Sequence, residues 1–264
     1  MGKIIVCIGP PKTGTTRLLD IVREYSDCKV LTRRNEHPEI ADDFFHLTPS
    51  QLDSTKSYFC KSPAQIFHNH VIIEINRILH EDYKEIFNNY KIVINIRDPF
   101  EYLISFYKMR ILEKKLPDYL KKSEPERRGP EVIKILKETK RLDQEHLEFQ
   151  EFLSSYVNDD TNVTYFNSAN TLKFIKRVLD VFGGKHVYLI DNEVLCHNQV
   201  ERVFNFLEIP YKEIYLPSLD YQKFTYIDLD LFTKDQINIL NEQYKLLKIF
   251  LTDSESNLNY LKYN

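Results

Sequence analysis

Cysteine is scarce and scattered in this chain of 264 residues: Cys7, Cys28, Cys60 and Cys196 form no CxxC pair. That spacing argues against a disulfide scaffold and a zinc site, so all four read as reduced thiols. No apolar run approaches the roughly 18 residues that a membrane-spanning helix needs. The opening segment Ile4-Ile5-Val6-Cys7-Ile8 stops at Gly9, where a signal peptide would continue. A cytoplasmic location without membrane attachment is expected. Charge of one sign is also missing, because 36 Lys and Arg against 39 Asp and Glu leave a net −3. Such a balance excludes a surface built wholly for nucleic acid, so any anion site must be local. No Ser/Gly-rich or Pro-rich linker interrupts the chain, and residues 1–264 are expected to form one domain.

Short β-rich runs are present at Lys3–Ile8, Lys29–Thr32, Ser57–Cys60, Lys91–Ile96 and His186–Ile190. Between them, Thr15–Tyr25, His68–Leu79, Phe100–Leu112, Thr171–Phe182 and Gln199–Leu207 carry apolar residues at helical spacing. This alternation predicts βαβ units: an α/β fold, a three-layer α/β/α sandwich with a central parallel sheet. A last helix is expected over Thr233–Leu251, with Thr233 as its N-cap and Leu240, Tyr244, Leu247 and Leu251 as its buried stripe. The stretch 113–150 is rich in Lys, Arg and Glu and broken by Pro117, Pro125 and Pro130, so it reads as a charged helical insertion. Its cations Lys121, Lys122, Arg127 and Arg128 interleave with Glu124, Glu126 and Glu131, the pattern of a mixed solvated face more than of a basic strip.

Glycine is rare as well, and two of only six glycines frame Gly9-Pro10-Pro11-Lys12-Thr13-Gly14-Thr15-Thr16, between the first strand and the first helix. A glycine-bearing turn of this kind lets backbone N–H groups wrap a phosphate, while the helix N-terminus and the hydroxyls add donors. The loop is P-loop-like, yet the triphosphate form is GxxxxGK[ST] and here Thr15 occupies the lysine position. Lys12 lies inside the loop instead, so the side chain that reaches the outer phosphates of a triphosphate is gone.

Pro11-Lys12-Thr13-Gly14-Thr15-Thr16 resembles the 5′-phosphosulfate loop of sulfotransferases, enzymes that use 3′-phosphoadenosine 5′-phosphosulfate (PAPS). The second half of that family's signature is a strand ending in Arg-x-Pro with a serine eight residues after the arginine, and Arg97-Asp98-Pro99 and Ser105 fit it. Proline starts a helix there, and Ser105 lies about two turns along, so both groups can reach one phosphate. The resemblance implies the 3′-phosphate of the cofactor; an arginine paired with Asp98 beside a solvent-facing serine is the alternative. Tyr58-Phe59-Cys60-Lys61-Ser62-Pro63-Ala64 is similar to a Glu-Lys-Thr-Pro-Ala segment of the heparan sulfate glucosaminyl sulfotransferases, which gives Lys61 a role beside the reacting centre. In the same way Tyr165 corresponds to an aromatic residue near the adenine, with a core tyrosine as the alternative. Lys223, in Gln222-Lys223-Phe224-Thr225-Tyr226, corresponds to a segment that closes over the 3′-phosphate, although its glycine is missing.

The implied reaction moves a sulfuryl group in line from PAPS to a hydroxyl or amine of a carbohydrate or small metabolite, leaving adenosine 3′,5′-bisphosphate (PAP). Lys12 would meet the departing oxygens, Thr13, Gly14, Thr15 and Thr16 would cradle the 5′-phosphate, and Arg17 would touch the sulfonate or the acceptor; no metal is required. The base implied by the resemblance is a carboxylate after the second strand. Glu36 fits by distance from Lys12, while counting back from Phe44-Phe45 points to Asp42 or Asp43, with Glu39 between. Two other classes stay open on the residues: a metal-dependent nucleotide or metabolite kinase, and a nucleotide-binding module without catalysis. Neither the acceptor nor the oligomeric state is legible.

Overall fold

The computed structural model describes residues 2–9, 13–32, 48–62, 69–84, 89–116, 130–138, 168–197, 199–211, 232–253 and 258–263. Strand β1 (Ile4–Ile8) leads into helix α1 (Thr15–Tyr25), and β2 (Lys29–Thr32) precedes β3 (Tyr58–Ser62). Helix α2 (Asn69–Arg77), continued by a wide turn over Ile78–Asp82, leads to β4 (Tyr90–Ile96) and α3 (Pro99–Lys115). Then come α4 (Pro130–Glu138), α5 (Ser168–Phe182), β5 (Val187–Asp191), α6 (Asn192–Cys196), α7 (Val200–Leu207), α8 (Lys234–Thr252) and β6 (Asn259–Leu261).

The six strands run parallel in the order β2-β3-β1-β4-β5-β6. Helices cover both faces, so the central strands are apolar on both sides; every residue of β1 and β4 is buried, Lys91 and Asn95 among them. One layer sets Ile4, Val6, Ile8, Ile92 and Ile94 against α2, α5 and α8. The other sets Ile5, Cys7, Phe59 and Val93 against α1, α6 and α7. This is the P-loop-like α/β/α sandwich expected from the alternation of strands and helices.

Element bounds move by a few residues. The third strand continues to Ser62, two residues past its expected end, which carries Lys61 onto the sheet. The α8 capping box forms as expected at Thr233: Thr233 Oγ1 accepts from the Gln236 N–H at 3.2 Å, and Gln236 Oε1 accepts from the Thr233 N–H at 2.9 Å. Helix α3 is buried round most of its circumference from Phe100 to Tyr107, because Phe232 and Leu240 cover one side. On its outer end Leu112 packs with Val132 of α4, the described helix of the charged stretch. Helix α6 and strand β6 have no counterpart in the sequence reading, being only five and three residues long. No helix among the described residues is long and apolar enough to cross a membrane.

The end of the sheet where β1 and β4 begin holds a buried cation. Lys91, 1% exposed, pairs with Glu208 Oε2 at 3.2 Å and lies over the Tyr188 ring at 4.2 Å. Lys3 meets the same carboxylate at 3.1 Å. Burial pulls the Lys91 ammonium down, and the Glu208 carboxylate opposes that shift. The two lysines hold Glu208 below the usual glutamate range. A depressed carboxylate stabilises the fold above its unfolded value of about 4.3 and loses that contribution as pH falls through the folded value. Glu208→Gln is therefore expected to lower urea stability at neutral pH by about 1–3 kcal/mol. It should also flatten the acid limb of the stability profile, and an unchanged acid limb would show that the pair contributes nothing.

Candidate active site

In a parallel sheet of this order, successive connections leave β1 and β4 in opposite directions, so a crevice opens at the carboxyl ends of those two strands. The ends of β3, β1 and β4 line it, β4 running two residues further than β1. Ile8 pairs with Ser62 of β3 and with Ile94 of β4, so the residues just beyond β1 lie between Lys61 and Arg97.

On the β1 side, Gly14 is the N-cap of α1 with φ 90°, a left-handed conformation that favours glycine. A Cβ there would also collide with Asn192 Oδ1 at the start of α6. As glycine, Gly14 has no side chain to cap the helix, whose N-terminus points to the crevice end of the sheet. Thr13 and Thr15 are buried on either side of Gly14. Lys61, only 4% exposed, extends from β3 and donates from Nζ to Thr16 Oγ1 at 2.7 Å. The strand thus delivers its cation to the first turn of α1. The nearby Cys7 thiol is pushed up to about 12 by burial, with the Lys61 charge pulling it down, so it is no nucleophile at neutral pH. Arg17 is buried one residue after Thr16.

On the β4 side, Asp98 caps α3, accepting from the N–H of Phe100 at 2.9 Å and of Glu101 at 3.2 Å, and Pro99 opens the helix. Arg97 does not pair with Asp98 as the alternative reading had it. Its Nε donates to Glu101 Oε2 at 3.4 Å, with the two side chains 12% and 6% exposed. Ser105 follows Glu101 by one more turn and is half-buried. The spacing of Arg97 and Glu101, four apart across a helix start, is a legible ion-pair signal that the sequence reading passed over. Burial pushes the Asp98 carboxyl up against the pull of its N–H donors, Lys248 and Arg97. Tyr244 and Tyr260 complete this side; their hydroxyls are pushed up first by burial and next by Asp98 for Tyr244 and by Asp191 for Tyr260. They are neutral donors at any physiological pH.

The structure therefore brings Thr13, Gly14, Thr15, Thr16 and Lys61 together on one side of the crevice, with Arg97 and Ser105 beyond the neighbouring strand. Lys12, Glu36, Glu39, Asp42, Asp43, Tyr165 and Lys223 lie outside the described residues. Asn192 and Glu101 are additions; nothing in the sequence marked Asn192, whose contact with Gly14 joins segments 178 residues apart (192 − 14). No metal-ligating group of three or more side chains forms among the described residues.

A P-loop-like sheet with such a crevice defines a nucleotide- or anion-handling class. The narrower identity comes from comparison with known proteins. A family model for the sulfotransferase domain matches residues 3–226, and the chain belongs to that family and is a sulfotransferase. No curated protein matches the sequence. Among solved structures, a sulfotransferase from Alicyclobacillus acidocaldarius is 15% identical with a TM-score of 0.50, covering 96% of this chain and 97% of that one. Mouse sulfotransferase SULT7A1, solved in complex with PAP, is 14% identical with a TM-score of 0.47 over 97% of this chain and 86% of its own. A sulfotransferase domain from the curacin biosynthetic pathway is 13% identical with a TM-score of 0.45, covering 92% and 98%.

Gly14→Ala combines a disfavoured φ with a collision. It is expected to cost roughly 2 kcal/mol or more in urea unfolding. Adding Asn192→Ala should recover part of that loss, since the collision goes and the backbone strain stays; strict additivity of the two substitutions would deny the contact.

Proposed function

We propose that this sulfotransferase takes its sulfuryl group from PAPS, releases PAP, and transfers to a hydroxyl or amine of a carbohydrate or small metabolite. The observation that carries this reading is the pairing of two anion-competent clusters across one crevice. The α1 N-terminus with Thr15, Thr16 and Lys61 suits a 5′-phosphosulfate, and Arg97 with Ser105 suits a 3′-phosphate. A nucleotide with phosphates on both its 3′ and 5′ oxygens matches that division. The similarity of residues 58–64 to the glucosaminyl sulfotransferases favours a sugar acceptor. The chain is proposed to act as one cytoplasmic domain without a metal.

In the transfer, the bond from sulfur to the bridging phosphate oxygen breaks as the bond from sulfur to the acceptor oxygen or nitrogen forms. The acceptor's proton passes to a carboxylate, for which Glu36 is our assignment, with Glu39, Asp42 and Asp43 as competitors. Lys12 and the α1 N–H groups stabilise the charge that gathers on the departing phosphate. Lys61, desolvated and fixed on a strand, holds its ammonium at the Thr16 hydroxyl, where it can stabilise the sulfonate oxygens. Tyr165 is assigned to the adenine and Lys223 to the 3′-phosphate.

Thermal unfolding with PAP, set against magnesium ATP at equal concentration, tests the cofactor assignment. At 100 times its Kd the bisphosphate should add about 2.7 kcal/mol to the native state. Stabilisation by magnesium ATP alone would overturn it. Under steady-state assay, Lys12→Ala and Glu36→Gln are each expected to lower kcat by about 100-fold or more with the fold intact. Arg97→Ala should weaken PAP binding more than it slows the chemical step, and equal PAP affinity in variant and parent would remove the 3′-phosphate role.

A further inference from the structure

Strand β4 carries one residue that its packing does not explain. Ile92, Ile94 and Ile96 face one helical layer and Val93 the other. By alternation Asn95 follows Val93 towards α1 and α6. Its side chain is 0% exposed, and neither Oδ1 nor Nδ2 has a hydrogen-bond partner. A valine or isoleucine would suit this doubly covered strand better, because a buried amide without partners forfeits its hydration and gains nothing in return. Such a group in a native protein calls for a ligand, a water or a catalytic use.

Its position favours a ligand. The β1–β4 register that pairs Ile8 with Ile94 sets Asn95 beside Gly9, the first glycine of the phosphate loop. A Cβ built on Gly9 would have Asn95 N and Thr13 Oγ1 each at 3.8 Å, and Gly9 itself has φ 148°. Gly9, Thr13 and the Asn95 backbone thus lie close together at the N-terminal end of α1, where a helix N-terminus favours an anion. On the other side of α1's start, Lys61 brings the cation.

We infer that Asn95 is a binding residue for the 5′-phosphate end of the nucleotide, its Nδ2 donating to a phosphate oxygen directly or through one water. The inference rests on the PAPS reading proposed above and adds a residue to it. The anion supplies the hydrogen bond that no protein group gives this amide. That trade makes the empty protein less stable than an apolar side chain would, in return for tighter binding.

Asn95→Val and Asn95→Ser test it, with melting curves and calorimetric titration of PAP, adenosine 5′-monophosphate and adenosine 3′-monophosphate. In Asn95→Val the ligand-free protein should melt about 2–4 °C higher. Its affinity for PAP and for the 5′-monophosphate should fall roughly tenfold, while that for the 3′-monophosphate stays within about twofold. Asn95→Ser, which keeps a donor at lower volume, should lie between valine and parent, and it carries the test alone if the valine variant does not fold. A lower ligand-free melting point with unchanged affinities in either variant would make Asn95 a structural amide and overturn the proposal. Equal losses for the 3′- and 5′-monophosphates would overturn the placement. A parent that binds neither PAP nor the 5′-monophosphate would sink the PAPS reading itself, a failure seen in the parent and so distinct from one seen only in the variants.

Discussion

Parallel pairing of β1 with β3 on one side and β4 on the other brings three strand ends together, and Thr13 to Thr16, Lys61, Arg97 and Asn95 are all placed by those three strands. A side chain's face in a sheet is set by parity, so a slip of one residue in β3 would turn Lys61 away from α1, and the same slip in β4 would send Asn95 into the opposite helical layer. Burial enforces the register. Ile4, Val6 and Ile8 belong to one core and Ile5 and Cys7 to the other, and it is the polar residues of the neighbouring strands, Lys61, Lys91 and Asn95, that a slip would misplace. The chemistry at one end of the sheet is thus positioned by hydrophobic packing along its whole length, and the loop needs only to leave β1 in the right direction.

Much of this could be read before any coordinate. Long periodic segments such as α1, α3 and α8 and the apolar runs of β1 and β4 fall where their patterns place them, because burial on one stripe or on two faces writes itself into spacing. The P-loop-like frame was legible for the same reason: it sits at the junction of a strand and a helix, where local chemistry is dense. What escaped was tertiary or very short. Asn192 matters only because α6 folds back onto Gly14, a contact no local pattern encodes. Asn95 looked like one more residue of a β run until its burial and lack of partners marked it. The extra residues of β3 were hidden because lysine and serine are weak strand formers, and pairing with β1 and β2 overrides that preference.

The two ends of the sheet treat buried polarity in opposite ways. At the amino ends Lys91 would be ruinous alone, and Glu208 answers it from the end of α7, backed by Lys3. The ion pair at 3.2 Å offsets the buried charge, although Lys91 Nζ makes no well-formed hydrogen bond. At the carboxyl ends the arrangement is weighted towards donors: helix N–H groups, threonine hydroxyls, Lys61 and the Asn95 amide gather on the β1 side. Even the carboxylates are committed, Asp98 to the α3 N-terminus and Glu101 to Arg97.

The proposed phosphosulfate fits where the cations stand. A triphosphate site places a lysine at the start of the helix and a carboxylate on magnesium, because several formal negative charges accumulate beyond the β-phosphate. Here Thr15 takes the lysine position, and Lys61 approaches from β3 to meet Thr16 instead. On the proposed reading, the outer group of a phosphosulfate anhydride carries a single negative charge, which one desolvated ammonium and a few hydroxyls can match. Further cations that held the ground-state sulfuryl group as strongly as the transition state would tighten binding without raising the rate of transfer. Threonine in place of lysine at the helix start is, on this view, a consequence of the weaker charge that the terminal group bears.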